Sequence, residues 1–392
     1  MKLLRYGPKG FEKPGLLDAD GNIRDLSGLL DDITPRTLAP AALEVLKAID
    51  PSRLPRVDGS PRLGVPWNGT PKYIAIGLNY HDHAVESGMP VPAEPVMFPK
   101  WTSCLAGPDD DIVPPEGFTR LDWEVELGIV IGSQARKVSA DAALSHVAGF
   151  CVANDVSERS WQLEKSGGQW GKGKGFDSFG PVGPWLVTPD EVPDPQNLDL
   201  WLDVNGERMQ TGNSRLMIFS CAEVVARCSQ VMTLEPGDLI ITGTPPGVGM
   251  GFKPPRFLKA GDVVELGISG LGRQRQHRTP QAEAVQVMAP VHRAPQQPGP
   301  QMLPVPGRCL LAQQPEKHVL VHVLCVLDAL HPAQGQPVDG GTVVFHGIAQ
   351  QDFSLFHAMP PFSRLKSAFN LYTPGRAEMF PPGNFSAGQR TA

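Results

Sequence analysis

The sequence predicts an α+β fold that is mainly β, on three observations. Apolar runs of strand length recur at Lys72–Gly77, Leu121–Ile131 and Ala148–Asp155. From Pro181 onward, short strand patterns follow one another: Gly183–Thr188, Leu200–Met209 around an Asn205-Gly206 turn, and Pro236–Thr242. Such spacing suits a sandwich or a rolled barrel. Helical patterns are few and short, the clearest being Ala41–Ile49 and Cys221–Met232.

With 392 residues, 41% hydrophobic and 19% charged, the chain exceeds one ordinary domain and has enough apolar residues for a sizeable core. Its net charge of −6, without a Lys or Arg tract, argues against a nucleic-acid binder. The opening Met1–Arg5 lacks the apolar run of a signal peptide, and no stretch approaches the roughly 18 apolar residues of a membrane span. A cytoplasmic location is therefore expected. The six cysteines, Cys104, Cys151, Cys221, Cys228, Cys309 and Cys325, never form a Cys-x-x-Cys pair, and they read as reduced, buried thiols.

Taken in order, residues 1–68 read as a small separate α/β unit. Asp20-Gly21 is a hairpin signal between two short strands. The helix at Ala41–Ile49 follows Pro40 and stops near Pro51, and the Pro- and Gly-rich stretch from Arg53 to Thr70 connects to a main body at 69–277. After the strand at Lys72–Gly77 comes a polar cluster in which His83 and Glu86 are three residues apart, on one face of a helical turn. A carboxylate holding one imidazole nitrogen fixes the tautomer and leaves the other nitrogen as a base. The alternative is an ordinary charged surface helix. Gly88, Pro90, Pro92 and Pro95 give that segment hinge-like ends suited to closing over a site.

Leu121–Ile131 is the stretch around which the chain is organised. In a strand, Glu124 and Glu126 point to one face while Trp123, Val125 and Leu127 point to the other. Two carboxylates side by side repel, and a hard divalent cation turns that repulsion into coordination. Taken alone, such a pair marks a solvated sheet face more often than a metal site. Asp155 ends the next apolar run, where it is placed either to cap the helix expected after Ser157 or to act as a ligand. The segment Gly168–Lys174 has the spacing of a phosphate loop, but Gly175 replaces the required Ser or Thr and no strand precedes it, so nucleotide binding is not expected. Lys174 remains as a cation in a glycine-rich loop. In Gly243–Gly251 the backbone amides and the Thr244 hydroxyl are placed to hold a carboxylate, and Leu258–Ile268 closes the body as a last strand.

Six blocks converge on one family: Gly77 to Glu86, Asp122 to Leu127, Asn154 to Arg159, Lys174 to Asp177, Gly180 to Pro184, and Thr242 to Gly249. Together they closely resemble the fumarylacetoacetate hydrolase family, in particular its short bacterial branch, over residues 1 to 277. The resemblance implies a β-roll or sandwich catalytic domain with a small N-terminal α/β unit, a homodimer, and Mg2+ or Mn2+ held by Glu124, Glu126 and Asp155. It further implies His83 and Glu86 as the catalytic base pair, Lys174 as the site cation, and Gln162 and Thr244 as substrate contacts. Gly175 stands where many relatives have serine.

The activity so implied is hydrolysis of a carbon–carbon bond in a small 2,4-dioxo acid, either an acylpyruvate or a 2,4-diketo-3-deoxy sugar acid, with release of pyruvate. Ureidoglycolate lyase, oxaloacetate decarboxylase and 2-hydroxyhepta-2,4-diene-1,7-dioate isomerase activities are alternatives on the same metal site. A non-catalytic metal-binding module is the alternative from another class. Residues 278–392 depart from the family. They hold His292, His318, His322, His331, His346 and His357, six of the chain's 10 histidines, and are rich in Pro and Gln. An interaction module, a metal-binding tail and an extension that never folds all remain open for this segment, the last being favoured.

Overall fold

The longest apolar runs of the sequence lie at the centre of one large sheet. The computed structural model describes residues 1–280 and, beyond them, the short strands Leu310–Leu311, Val323–Cys325 and Val343–Phe345. The chain divides into two compact units, Met1–Gln286 and Val287–Ala392. In the second, the three short strands pair antiparallel. The expectation of an unfolded extension otherwise falls outside the described residues.

Strands of the first unit begin with β1 (Lys2–Tyr6), β2 (Lys13–Leu17), β3 (Ile23–Asp25), β4 (Tyr73–Gly77), β5 (Val96–Lys100) and β6 (Leu105–Ala106). They continue with β7 (Leu121–Asp122), β8 (Val125–Ile131), β9 (Val147–Asn154), β10 (Ser157–Glu158) and β11 (Gly180–Val187). The last are β12 (Asp199–Val204), β13 (Glu207–Asn213), β14 (Leu239–Ile241), β15 (Val263–Ile268) and β16 (Gly272–His277). The helices are α1 (Pro40–Lys47), α2 (His81–Glu86), α3 (Ala140–Ala143), α4 (Arg159–Leu163), α5 (Gly171–Lys174) and α6 (Cys221–Val231).

The main sheet runs β3-β2-β1-β11-β9-β8-β14-β4-β5, with β6 alongside β11. A second, antiparallel sheet runs β13-β12-β15-β16. The turn between β12 and β13 is the expected Asn205-Gly206, both residues at positive φ (53° and 78°), as a two-residue hairpin of that hand requires. The second sheet packs on the first through buried amides as well as apolar side chains. Gln210 accepts from the Val125 N–H, and Gln274 donates to Val152 O. Such groups stay buried because each finds a partner.

Because β8 lies between β9 and β14 and is covered on both faces, every residue from Val125 to Ile131 is buried. Ser220 and Glu223 form a capping box that starts α6, and Val224, Val225 and Cys228 bury its inner face. The four cysteines Cys104, Cys151, Cys221 and Cys228 are free and buried, as expected. Among the described residues, no helix is long and apolar enough to cross a membrane.

Residues 1–68 do not stand apart, contrary to expectation. β1 pairs with β11, placing Leu3 opposite Leu186, and Leu3, Leu16, Leu43 and Leu46 join the same apolar core as β8 and β9. A hairpin and one short helix bury too little on their own, and laying β1 against β11 supplies both a backbone ladder and a core face.

Candidate metal-dependent active site

Pairing of β8 with β9 assembles the acidic centre. The antiparallel register sets Val125 opposite Asn154 and Glu126 opposite Ala153, and the Asp155 N–H donates to Glu124 O at 2.9 Å. Residues thirty apart in sequence thereby become neighbours. One ligand oxygen from each of Glu124, Glu126 and Asp155 lies within 4.8 Å of the others, and all three side chains are buried. A solvated sheet face is excluded, since Glu124 is 4% and Glu126 1% exposed.

Three buried cations answer these acids. Lys174, the last residue of α5, donates to Glu124 Oε2 at 2.8 Å, Asp155 Oδ2 at 2.6 Å and Ser157 Oγ at 2.7 Å. From β5, Lys100 donates to Asp155 Oδ1 at 2.5 Å and to Phe179 O at 2.9 Å. From α4, Arg159 donates to Asp122 Oδ2 at 2.7 Å and Gln162 Oε1 at 2.8 Å, and closes an ion pair with Glu124 Oε1 at 2.7 Å. Four carboxylates, counting Asp122, thus face three cations. Buried charge survives only with such compensation.

Glu126 is the acid with no cation against it. Its Oε2 accepts the Gly243 N–H at 2.7 Å. Burial, reinforced by the charges of Asp155 and Glu124, pushes its carboxyl well above the ordinary range. Burial also works against the Glu124 carboxylate, but Lys174 and Arg159 beside it outweigh that effect and hold its pKa at about 2. The Lys174 ammonium is likewise opposed by burial, yet raised overall by Asp155 and Glu124. Three buried carboxylates that repel one another, converging with oxygen donors only, suit a hard divalent cation such as Mg2+ or Mn2+.

The predicted helical turn carries His83 and Glu86. His83 Nδ1 lies 3.2 Å from Glu86 Oε2, and Glu86 Oε1 accepts the Gly247 N–H at 2.9 Å. A carboxylate only accepts, so this contact requires the proton on Nδ1. His83 lines the same cavity as Glu124, Glu126, Asp155 and Lys174. Gln162 and Thr244 line it too. The Thr244 hydroxyl is already committed, donating to Val125 O and accepting from Gln210 Nε2, so it supports the cavity wall as well as facing it.

All the expected site residues therefore meet in one place. They do so because the start of β8 and the ends of β9, β4 and β14 lie at one end of the sheet, where α2, α4 and α5 are attached. Asp155 does not cap α4: Glu158 does, accepting from the Trp161 N–H at 2.9 Å. Sequence reasoning missed Asp122, Arg159 and Lys100. The first two sit inside blocks singled out for their neighbours. Lys100 lies on a strand that begins beyond Pro95, and its only sequence signal was a lone lysine at the end of an apolar run.

Residues 72–277 match the family model described as fumarylacetoacetate (FAA) hydrolase C-terminal. A Burkholderia lata protein provisionally named a hydrolase is 62% identical over 278 residues, which cover 71% of this chain and 98% of that protein. The solved fumarylacetoacetate hydrolase from Exiguobacterium antarcticum is 35% identical with a TM-score of 0.62, covering 72% of this chain and 100% of its own. Maleylpyruvate hydrolase from a Sphingobium species, solved in complex with manganese(II) ion and pyruvate, is 30% identical with a TM-score of 0.60 and the same coverages, 72% and 100%. On the extent of the matched segment and the closeness of these relatives, the chain belongs to the fumarylacetoacetate hydrolase family.

Proposed function

We propose that this protein is a divalent-metal-dependent hydrolase that cleaves a carbon–carbon bond in a small 2,4-dioxo acid and releases pyruvate, and that it works as a homodimer. The observation that carries this reading is that His83, held by Glu86, lines the same cavity as the three converging carboxylates. A decarboxylation needs no attacking water, whereas an oriented imidazole beside a metal site is what hydrolysis requires. The family relative that was solved with manganese(II) and pyruvate supports the same reading.

Glu124, Glu126 and Asp155 are the residues that would hold Mg2+ or Mn2+. When bound there, the cation supplies Lewis acidity toward a 2-oxo carboxylate and favours negative charge on its carbonyl oxygen. The chain's own groups do the rest. Glu86, fixed by the Gly247 amide, holds the His83 Nδ1–H, so Nε2 accepts a proton as water oxygen bonds to the C4 carbonyl carbon. The C3–C4 bond then breaks, its electron pair forming the enolate across C3, C2 and the 2-oxo oxygen. Lys174 adds fixed positive charge close to that developing anion. The carboxylic acid from C4 departs, and protonation at C3 completes pyruvate.

The reading is tested by assaying pyruvate release from acylpyruvates, 2,4-dioxo-3-deoxy sugar acids and oxaloacetate in the presence of Mg2+ or Mn2+. Hydrolysis of a dioxo acid is expected to be lost on chelation. His83→Ala should lower kcat by about 10² to 10⁴-fold, with little change in Mn2+ affinity. Preference for oxaloacetate, or near-normal hydrolysis by the variant, would sink the hydrolase assignment and leave the metal site standing.

A further inference from the structure

The charged side chains of the cavity belong to one cluster. Its charged lining residues are Glu124, Glu126, Asp155, Arg159 and Lys174, all members of the ionic network described above. Lys174 spends its three donors on Glu124, Asp155 and Ser157, and Arg159 faces Asp122, Glu124 and Gln162. Both lining cations are thus ion-paired with the acids, and no other lining residue is a Lys or Arg.

Besides His83, Gln162 and Thr244, the uncharged wall is mainly apolar, with Ile76, Leu78, Met89, Leu163, Trp170 and Met250. Met89 at 39% and Leu163 at 44% exposure stand at the mouth. Trp170 is fixed in place: its ring meets Phe98 edge-on at 5.6 Å, and a Cβ on Gly77 would come within 2.4 Å of it, so only glycine lets the indole lie against that strand end. The buried Ser87 Oγ also lines the cavity and has no hydrogen-bond partner.

We propose that the site selects monocarboxylic 2,4-dioxo acids whose acyl tail is uncharged and mainly apolar, and that it discriminates against dioxo acids bearing a second carboxylate at the tail. This rests on the functional reading above and deepens it. With the 2-oxo carboxylate at the acidic end, the tail runs along Met89, Leu163, Trp170 and Met250. A carboxylate there would lose water without gaining a cation, the costly case of an unpaired buried charge. A methyl or methylene gains from the same wall. A single hydroxyl on the tail is compatible, because Ser87 Oγ can pair with it.

Calorimetric titration of the Mn2+-loaded full chain with two oxamates separates the tail from the chemistry. N-butyloxamate and N-(3-carboxypropyl)oxamate share a head group and differ in tail charge. The butyl compound is expected to bind at least about tenfold more tightly. Leu163→Arg, at an exposed position, should shrink or reverse that ratio by supplying the missing cation. Equal or tighter binding of the carboxypropyl compound by the wild type, or no binding of either, would overturn the proposal. Failure of the hydrolase reading would show separately, as absence of pyruvate release from every dioxo acid while the tail preference in binding persists.

Discussion

At the residue scale, Glu126 concentrates the tension in the site. Its neighbours Glu124 and Asp155 each have a buried cation within 2.8 Å, whereas Glu126 has only the Gly243 amide. Replacing it by Gln keeps shape and an acceptor for that N–H, and removes like-charge repulsion. Glu126→Gln is therefore expected to leave thermal stability unchanged or slightly raised, while Mn2+ affinity falls by at least about 100-fold. Titration of Mn2+ by calorimetry, alongside a thermal melt, reads both effects. Unchanged affinity would refute the three-carboxylate site.

Arg159 and Lys100 show the converse. Each cation is at most 2% exposed and is tied to acids from strands distant in sequence. Removing such a cation would strand a buried carboxylate, which costs far more than the pair contributes when complete.

At the element scale, the site depends on how closely two short helices approach. α4 carries Arg159 and Gln162, and α5 carries Lys174. Gly173 lets them meet: a Cβ there would lie 2.3 Å from Gln162 N and 2.6 Å from its Cα, both backbone atoms that cannot swing aside. Gly173→Ala must push the helices apart, at a cost of about 1–3 kcal/mol typical of overpacking. A lowered Tm together with weakened Mn2+ binding is expected, because Lys174 is the adjacent residue. A variant with wild-type Tm would show that the contact relaxes freely.

At the scale of the whole molecule, every residue of the candidate site lies in the first compact unit. Among the described residues its last backbone ties are the Thr279 N–H to Ile112 O at 3.1 Å and the Ile112 N–H to His277 O at 2.9 Å. A chain stopped after Gln286 keeps these bonds and every site residue. It should retain wild-type activity, oligomeric state and Tm, and limited proteolysis of the full chain should cut first beyond that point. Loss of activity, or of the expected dimer in sedimentation, would make the C-terminal segment a structural partner.

The elements were legible where local chemistry dictates them. Asn205-Gly206 is a two-residue turn because both positions need positive φ, and Ser220 with Glu223 starts a helix because each satisfies the other's backbone amide. His83 and Glu86 could be paired from their spacing, since a helical turn brings residues three apart together. The block pattern around Glu124, Glu126 and Asp155 pointed to one site through family resemblance.

What the sequence left undecided is what depends on contacts across long separations. Strand register, and nothing local, puts Asp155 beside Glu124. The same holds for β1, a short strand whose place in the main sheet is set by its pairing with β11, so that residues 1–68 became part of the body instead of a separate unit. Lys100 is the sharpest case. Its neighbours in sequence mark only a strand end, and its partner Asp155 is 55 residues away. By itself the sequence determined local elements such as the Asn205-Gly206 turn and the helical turn that pairs His83 with Glu86, because propensity, capping and residue type act within a few residues. Only the tertiary structure decided which buried charges compensate one another and which residues share the cavity wall, because both follow from the packing of strands and helices far apart in the chain.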